Sequence, residues 1–257
     1  MYTSCCPGWI DLAHKQFPEV LPYISTTKSP QLITGAIIKL IHKDAFSVSV
    51  MPCTRKAAEA ARDNTIDLVL TTNDLIELFK QESIDVNDQE ESEFDLIGSG
   101  GGTLFGQSGG VMVSALRYAY FILSDGQTVE EIKFTPVEGY NDVKETVIEI
   151  PGFGPLKVAV VVGLGTAKKF VKDVHDDKIR YDFVEIMACP PYGCVGGAGN
   201  PAVGKNKEIL KERRDNLINL DKDSTMKAPQ DNSEVKDLYA KIRAADVSPH
   251  DLFHFEE

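Results

Sequence analysis

Residues 46–62 read FSVSVMPCTRKAAEAAR, and this stretch decides the fold. Residues 46–50 alternate in polarity and are rich in valine, which predicts a strand. Residues 54–62 are strong helix formers, so a helix is expected to follow directly. Cys53 then lies at the carboxyl end of a strand and the amino end of a helix. This is the position at which open α/β sheets bind their ligands.

The same pattern of strands and helices continues along the chain. The predicted strands are residues 46–50, 66–70, 146–150, 157–162 and 183–187, and the predicted helices are residues 30–42, 54–62, 73–81, 109–123, 167–174, 205–219 and 233–244. This alternation predicts an α/β fold with largely parallel sheets flanked by helices.

With 257 residues, the chain can form one large domain, residues 1–257, or two lobes within it. An acidic stretch at residues 82–93 precedes a glycine-rich run, so we expect a lobe boundary near residue 90. The second lobe would then cover about residues 98–200. Residues 201–257 would form a helical tail.

Charge and hydropathy exclude several classes of partner. The chain carries 27 Lys and Arg against 39 Asp and Glu, a net charge of −12, which argues against duplex nucleic acid and anionic membrane as partners. The longest apolar run, near residues 158–164, is far shorter than the ~20 residues that span a bilayer. Residues 1–6 show no secretory pattern, so the expected compartment is the cytoplasm.

Five cysteines occupy only three places in the chain, which are Cys5-Cys6, Cys53, and the pair Cys189 and Cys194. An odd number without an export signal argues against a disulfide framework and favours metal or redox chemistry. Residues 183–187 lead into Cys189 as residues 46–50 lead into Cys53. We therefore expect both cysteine groups at the same edge of the sheet.

Two other uses of these cysteines stay open. They could be inert core thiols, although core cysteines would scatter among apolar positions. They could also bind structural zinc, although zinc favours closed Cys-x₂-Cys knuckles or a nearby histidine, which this chain lacks. Neighbouring residues rarely both bind one metal easily. One of Cys5 and Cys6 is therefore free for another role.

Several segments together resemble the motifs of iron-only (FeFe) hydrogenases. The three signature segments are TSCCPGW at residues 3–9, MPCTRK at 51–56 with Glu59, and EIMAC at 185–189 followed by Gly193-Cys194. The resemblance extends to ISTTKSPQ at 24–31, LFGQSGGVM at 104–112 and the closing residues 250–255. It therefore spans nearly the whole chain, and it implies two lobes with a cofactor in the crevice between them.

The resemblance implies a six-iron H-cluster, in which a 4Fe-4S cubane shares a cysteine sulfur with a diiron unit carrying CO, cyanide and azadithiolate. Cys6, Cys53, Cys189 and Cys194 would hold the cubane, and Cys194 would bridge to the diiron unit. Cys5 would be the last protein group in proton transfer, unless it is only a small buried residue beside the cluster. The implied reaction is the reversible reduction of protons to H₂.

Lys56 lies three residues after Cys53 on the same helical face, and the resemblance implies a hydrogen bond from its ammonium to a cyanide. The alternative is a surface lysine paired with Glu59 or Glu77.

The resemblance also implies roles for four further side chains. Met51 and Met187 would pack against the diiron unit, unless they serve only the core. Gln31 would offer an amide to the cluster ligands. Ser25 would belong to the proton path. The last two residues could instead belong to a segment that simply opens a helix.

Two features depart from the family pattern. The family places three residues between the cysteines of its third motif, whereas Cys189 and Cys194 enclose four, which should bulge the loop or move the thiolate. Ordinary members also have a sizeable region before the first motif, which begins at residue 3 here. We therefore expect an unusually minimal form, or a separate subunit that completes the site.

The implied partners are a ferredoxin or similar electron carrier and the H-cluster maturation proteins. Two further functions stay open, a hydrogen sensor with the same cluster and an iron–sulfur assembly protein with a cubane alone. The retained Cys5 argues against the sensor. The adjacent Cys5-Cys6 pair and the two methionines favour the hydrogenase.

Overall fold

The structure is a computed structural model that describes residues 1–129, 131–201 and 206–255. Its strands are β1 Val48–Met51, β2 Leu68–Thr71, β3 Thr135–Pro136, β4 Val143–Ile150, β5 Gly154–Val162 and β6 Phe183–Met187. Its α-helices are α1 Pro7–Gln16, α2 Pro30–Ile41, α3 Lys56–Ala60, α4 Thr72–Gln81, α5 Gly100–Thr103, α6 Gly110–Leu123, α7 Leu164–His175, α8 Lys207–Asp223, α9 Ser233–Ala244 and α10 Pro249–Phe253. Within these residues, no helix is both long and apolar enough to cross a membrane.

The α/β class is confirmed, but the expectation of largely parallel sheets needs correction. One sheet is the parallel pair β1-β2, whereas the other has the order β3-β4-β5-β6, in which only β5 and β6 are parallel. Only residues 151–153 separate β4 from β5, and the N–H of Phe153 donates to the carbonyl of Ile150 at 3.0 Å. Such a short connection allows an antiparallel pair and excludes a crossover.

Most predicted elements are present with shifted ends. The helix predicted over residues 205–219 is α8, which continues to Asp223, and its predicted start at residue 205 lies outside the described residues. The short strand β3 and the short helices α5 and α10 were missed. The lobe boundary near residue 90, with its division at 98–200 and 201–257, stays a prediction, and residues 202–205 of that tail are outside the described part.

The larger sheet carries apolar side chains on both faces, because successive residues of β5 point to opposite sides. On one face, Ala159 and Val161 pack in a cluster with Trp9 of α1 and Phe170 of α7. On the other face, the alternate valines of β5 pack against Met112 and neighbouring residues of α6. The sheet is therefore a buried layer between helices.

A buried ion pair joins α6 to α8. The guanidinium of Arg117 donates to the two carboxylate oxygens of Asp221 at 2.7 and 2.8 Å. The two side chains are only 12% and 7% exposed. A Cβ atom on Gly100 would lie 2.5 Å from Asp221 Oδ1, so a side chain at that position would disturb the pair.

We expect Arg117→Ala to lower the free energy of unfolding by about 3–5 kcal/mol, because it leaves the buried Asp221 carboxylate without its partner. The matched control is Lys80→Ala, since Lys80 pairs with Glu77 at the surface with exposed fractions of 66% and 62%. Such a pair contributes at most about 1 kcal/mol. Urea unfolding measures both variants, and equal losses would contradict the role given to the buried pair.

Candidate metal centre

The amino-terminal residues run alongside β6. The N–H of Thr3 donates to the carbonyl of Val184 at 3.0 Å, and the N–H of Val184 donates to the carbonyl of Met1 at 2.9 Å. Tyr2 and Val184 form a parallel bridge. Because parallel neighbours end at the same edge of a sheet, this pairing brings Cys6 and Cys189 out at the same edge.

Cys6 is the N-cap residue of α1, at the end of the helix where backbone N–H groups lack partners within the helix. The N–H of Ala188 donates to Cys6 Sγ at 3.4 Å. Burial raises the pKa of Cys6, while the backbone N–H groups of Trp9, Ala188 and Gly8 act to lower it. A Cβ atom on Gly8 would lie 2.9 Å from Ala188 Cβ, so glycine allows this close approach.

Cys53 follows β1, which belongs to the other sheet, so the expectation of a single shared sheet edge is wrong. The backbone that follows Cys194 instead contacts the residue before Cys53. The N–H of Gly199 donates to the carbonyl of Pro52 at 2.9 Å. A Cβ atom on Gly197 would overlap that same carbonyl oxygen. The two glycines therefore let the backbone after Cys194 lie against the residue before Cys53.

The four residues between Cys189 and Cys194 form a turn. The N–H of Gly193 donates to the carbonyl of Cys189 at 2.8 Å, and Gly193 has a φ of +83°, which favours glycine. The N–H of Ser108 donates to the carbonyl of Tyr192 at 2.9 Å. The extra residue is thus accommodated in a closed turn that residues 107–109 support.

The thiols of Cys6, Cys53, Cys189 and Cys194 lie near enough together that the charges of neighbouring cysteines raise the pKa values of Cys189 and Cys194. Burial raises the pKa of Cys189 to about 11, and the charges of Cys6 and Cys53 add to the increase. Burial raises the pKa of Cys194 to about 12, and the other three cysteines add to it. Thiolates placed in this way repel one another, so they need positive charge between them, which iron ions supply. The donor set therefore fits an iron–sulfur cluster.

The four thiols are not arranged around the position of a single metal ion. Within the described ranges, no three His, Cys, Asp or Glu side chains are close enough to hold one metal ion. A zinc ion would need all its sulfur ligands at about 2.3 Å from one centre. A cubane does not require this, because each cysteine binds a different iron.

Cys5 lies partly buried next to Cys6. Burial raises the pKa of Cys5 far above its usual range, and the charge of Glu185 adds to the increase. The ammonium of Lys56 acts in the opposite direction. The Cys5 thiol therefore keeps its proton at neutral pH.

Lys56 is buried, so the alternative of a surface lysine is wrong. Its ammonium donates to both carboxylate oxygens of Glu59 at 3.0 and 2.8 Å, and to the carbonyl of Cys5 at 3.2 Å. Glu77, the other partner considered, pairs with Lys80. Because an ammonium has three donors, Lys56 would have to exchange one of these contacts to bind a cyanide.

Gln31 is also buried, and its amide is used inside the protein. Gln31 Nε2 donates to the carbonyl of Lys56 at 3.1 Å and to Glu59 Oε2 at 3.2 Å. Gln31 Oε1 accepts from Ser49 Oγ at 2.9 Å. Ser29 Oγ donates to Glu59 Oε2 at 2.7 Å. Gln31 therefore belongs to the network that fixes Lys56 and Glu59.

Ser25 and the two methionines lie on different elements. Ser25 Oγ donates to Thr27 Oγ1 at 3.0 Å, so its hydroxyl is engaged locally. Met51 ends β1 and Met187 ends β6, each two residues before a cysteine. Met187 is buried in the same apolar cluster as Cys6, and Met51 is partly buried.

Glu185 is a position that the sequence interpretation did not single out. Its carboxylate is fully buried and accepts the N–H groups of Gly109 at 2.7 Å and Met112 at 2.6 Å, at the start of α6. Burial raises the pKa of Glu185 to about 7, although these two N–H groups act to lower it. The available signal was a lone carboxylate within the otherwise apolar strand β6.

Comparison with known proteins identifies the family. Residues 1–198 match the family model described as the iron only hydrogenase large subunit, C-terminal domain. Residues 207–256 match the model described as the iron hydrogenase small subunit. The chain belongs to the iron-only hydrogenase family. This membership confirms the resemblance drawn from the motifs, and it implies iron–sulfur cluster binding.

Family members similar to this chain carry two kinds of name. The chain is 35% identical to iron hydrogenase 1 of Clostridium pasteurianum, over all of this chain and 48% of the relative. It is 31% identical to the cytosolic Fe-S cluster assembly factor narfl of Danio rerio, over 93% of this chain and 63% of the relative. A solved [FeFe]-hydrogenase of Chlamydomonas reinhardtii superposes with a TM-score of 0.84 at 36% identity, over 100% of this chain and 75% of the other. The chain spans about half the length of the hydrogenase relatives it matches.

Glu185 should make the free energy of unfolding depend on pH. Burial raises its pKa from 4.5 to about 7, so the folded chain binds the proton more tightly than the unfolded chain. The resulting stabilisation is fully present below pH 4.5 and is lost as the pH rises through 7. We expect the stability of the wild type relative to Glu185→Gln to fall by about 3 kcal/mol over this range.

Urea unfolding between pH 4 and pH 8 measures this difference. Glu77→Gln, which changes an exposed carboxylate, is the matched control and should show no such trend. A stability difference between the wild type and Glu185→Gln that stays constant with pH would contradict the account.

Proposed function

We propose that this chain is an iron-only hydrogenase that catalyses the reversible reduction of protons to H₂ at a six-iron H-cluster. Cys6, Cys53, Cys189 and Cys194 would hold the 4Fe-4S cubane. Cys194 would bridge to a diiron azadithiolate unit with CO and cyanide ligands. Similarity to proteins named as hydrogenases supports this proposal, as does the proximity of the cysteines that raises the pKa values of Cys189 and Cys194.

Cys5 is the observation that carries the proposal. A cubane needs four thiolates, and Cys5 is a fifth thiol that lies partly buried beside the ligand Cys6. Its backbone carbonyl accepts a hydrogen bond from Lys56 at 3.2 Å, which helps to hold the Cys5 main chain beside Lys56. A buried thiol held in this way can carry one proton at Sγ and donate it as a general acid. Electron transfer or cluster storage alone does not need such a group.

The remaining side chains would bind, orient and shield the cofactor. When bound, the cluster would supply the redox chemistry that joins two protons and two electrons. Lys56 would donate to a cyanide ligand, while Glu59 holds its ammonium and Gln31 holds Glu59 in position. Met51 and Met187 would keep water away from the site with soft apolar surface.

Other proteins would complete the function. Electrons would come from a ferredoxin or a similar carrier, and maturation proteins would insert the diiron unit. The match of residues 207–256 to a small-subunit model and the similarity to proteins named as hydrogenase subunits support a multi-subunit context.

A second candidate is an iron–sulfur assembly protein that carries the cubane without the diiron unit. The 31% identity to a cytosolic Fe-S cluster assembly factor favours it. Hydrogen sensing is a variant of the first proposal, with the complete cluster and little turnover. The three functions differ in two measurable properties, which are the uptake of the diiron unit and the rate of H₂ production.

The test begins with anaerobic reconstitution of the cubane and insertion of a synthetic diiron azadithiolate cofactor. We expect protein-bound CO and cyanide bands in the infrared spectrum and H₂ production from reduced methyl viologen. Cys5→Ala should keep the bands and lose at least about a hundredfold in rate, because general acid catalysis contributes 10²–10⁴-fold.

Ser4→Ala is the matched control, since the hydroxyl of Ser4 donates to the carbonyl of Thr27 and has no part in the proposed chemistry. It should retain the rate. Bands without turnover in the wild type would favour the sensor, whereas a cubane that never acquires the bands would favour the assembly protein. Full activity of Cys5→Ala would remove the observation on which the proposal depends.

A further inference from the structure

Ser108 carries a buried hydroxyl that is left without a hydrogen-bond partner within the described part of the chain. It lies in residues 107–109, which lead into α6. Buried hydroxyl groups are nearly always hydrogen-bonded, because a buried donor without an acceptor has lost its hydrogen bond to water and forms none in the protein. The hydroxyl of Ser108 therefore indicates an acceptor that the polypeptide itself does not supply.

The hydroxyl lies against the cysteine turn. A Cβ atom on Gly193 would lie 2.9 Å from Ser108 Oγ and 2.7 Å from Ser108 N. Gly193 directly precedes Cys194, and the N–H of Ser108 donates to the carbonyl of Tyr192 at 2.9 Å. The unpartnered donor is thus adjacent to the backbone that carries a proposed cluster ligand.

The residues that follow Ser108 also fix the position of its main chain. The N–H of Gly109 donates to the buried carboxylate of Glu185 at 2.7 Å. Gly109 has a φ of +90°, and a Cβ atom on Gly110 would overlap the carbonyl oxygen of Leu104. Both glycines are required for this backbone path, which keeps the main chain of Ser108 against the cysteine turn.

We propose that Ser108 Oγ donates a hydrogen bond to a sulfide of the cubane that Cys194 would hold. This inference rests on the cubane of the proposed function but not on the diiron unit. A donor to a cluster sulfur withdraws negative charge from the cluster and stabilises its reduced state. Ser108 would therefore raise the reduction potential of the cubane.

The test uses the full chain reconstituted with iron and sulfide alone. Redox titration followed by electron paramagnetic resonance gives the midpoint potential of the cubane. We expect Ser108→Ala to lower the equilibrium constant for reduction by about tenfold, which is 59 mV for a one-electron couple. Ser108→Thr keeps the hydroxyl and should restore the wild-type potential.

A second readout detects the proton itself. Electron–nuclear double resonance of the reduced cluster, compared in H₂O and D₂O, should show an exchangeable proton coupling that Ser108→Ala loses and Ser108→Thr retains. Ser124→Ala is the matched control, because Ser124 is a buried serine at the far end of α6. It should change neither the potential nor the coupling.

Unchanged potential and coupling in Ser108→Ala would overturn the inference. If Ser108→Ala fails to bind iron while Ser108→Thr loads normally, the hydroxyl is needed for the cluster and the inference is supported. If both variants fail, the position requires only the size of serine, and the inference is wrong. Because the diiron unit is omitted, failure to produce H₂ would affect the proposed function alone.

Discussion

The pairing of the first three residues with β6 is the interaction on which the site depends. The hydrogen bonds between Thr3, Val184 and Met1 make the amino terminus an additional parallel neighbour of that strand. Cys6 then begins α1 at the edge where Cys189 follows β6. Tyr2 also forms a parallel bridge with Ile24, so the segment that leads to α2 is ordered by the same pairing.

A second constraint joins the two sheets. The backbone after Cys194 lies against the carbonyl of Pro52, at positions where only glycine fits. Cysteines that follow strands of both sheets therefore come together, and a cluster bound to the proposed ligands would cross-link the two sheets. Lys56 and Glu59 form a buried pair, and Ser29 and Gln31 both donate hydrogen bonds to the Glu59 carboxylate. Additional hydrogen bonds of this kind allow a charge pair to be stable inside a protein.

Local sequence predicted the elements of this fold well, because strand and helix periodicity is a local property. The strand before Cys53, the helix after it and the start of α2 all required only nearby residues. Pairing partners required the whole chain, so the sequence could not show that β1 and β6 belong to separate sheets. The burial of Lys56 and the contact of Glu185 with the start of α6 were also out of reach, since both arise from segments distant in sequence.

Iron and sulfide analysis of the reconstituted chain tests the central claim most directly, that one cubane binds to four cysteines. The account predicts about four irons and four sulfides per chain, with the spectrum of a reduced 4Fe-4S cluster after dithionite. Serine substitution at Cys6, Cys53, Cys189 or Cys194 should reduce this content, whereas Cys5→Ser should retain it. Loss of the cluster in Cys5→Ser with full retention in Cys6→Ser would contradict the account.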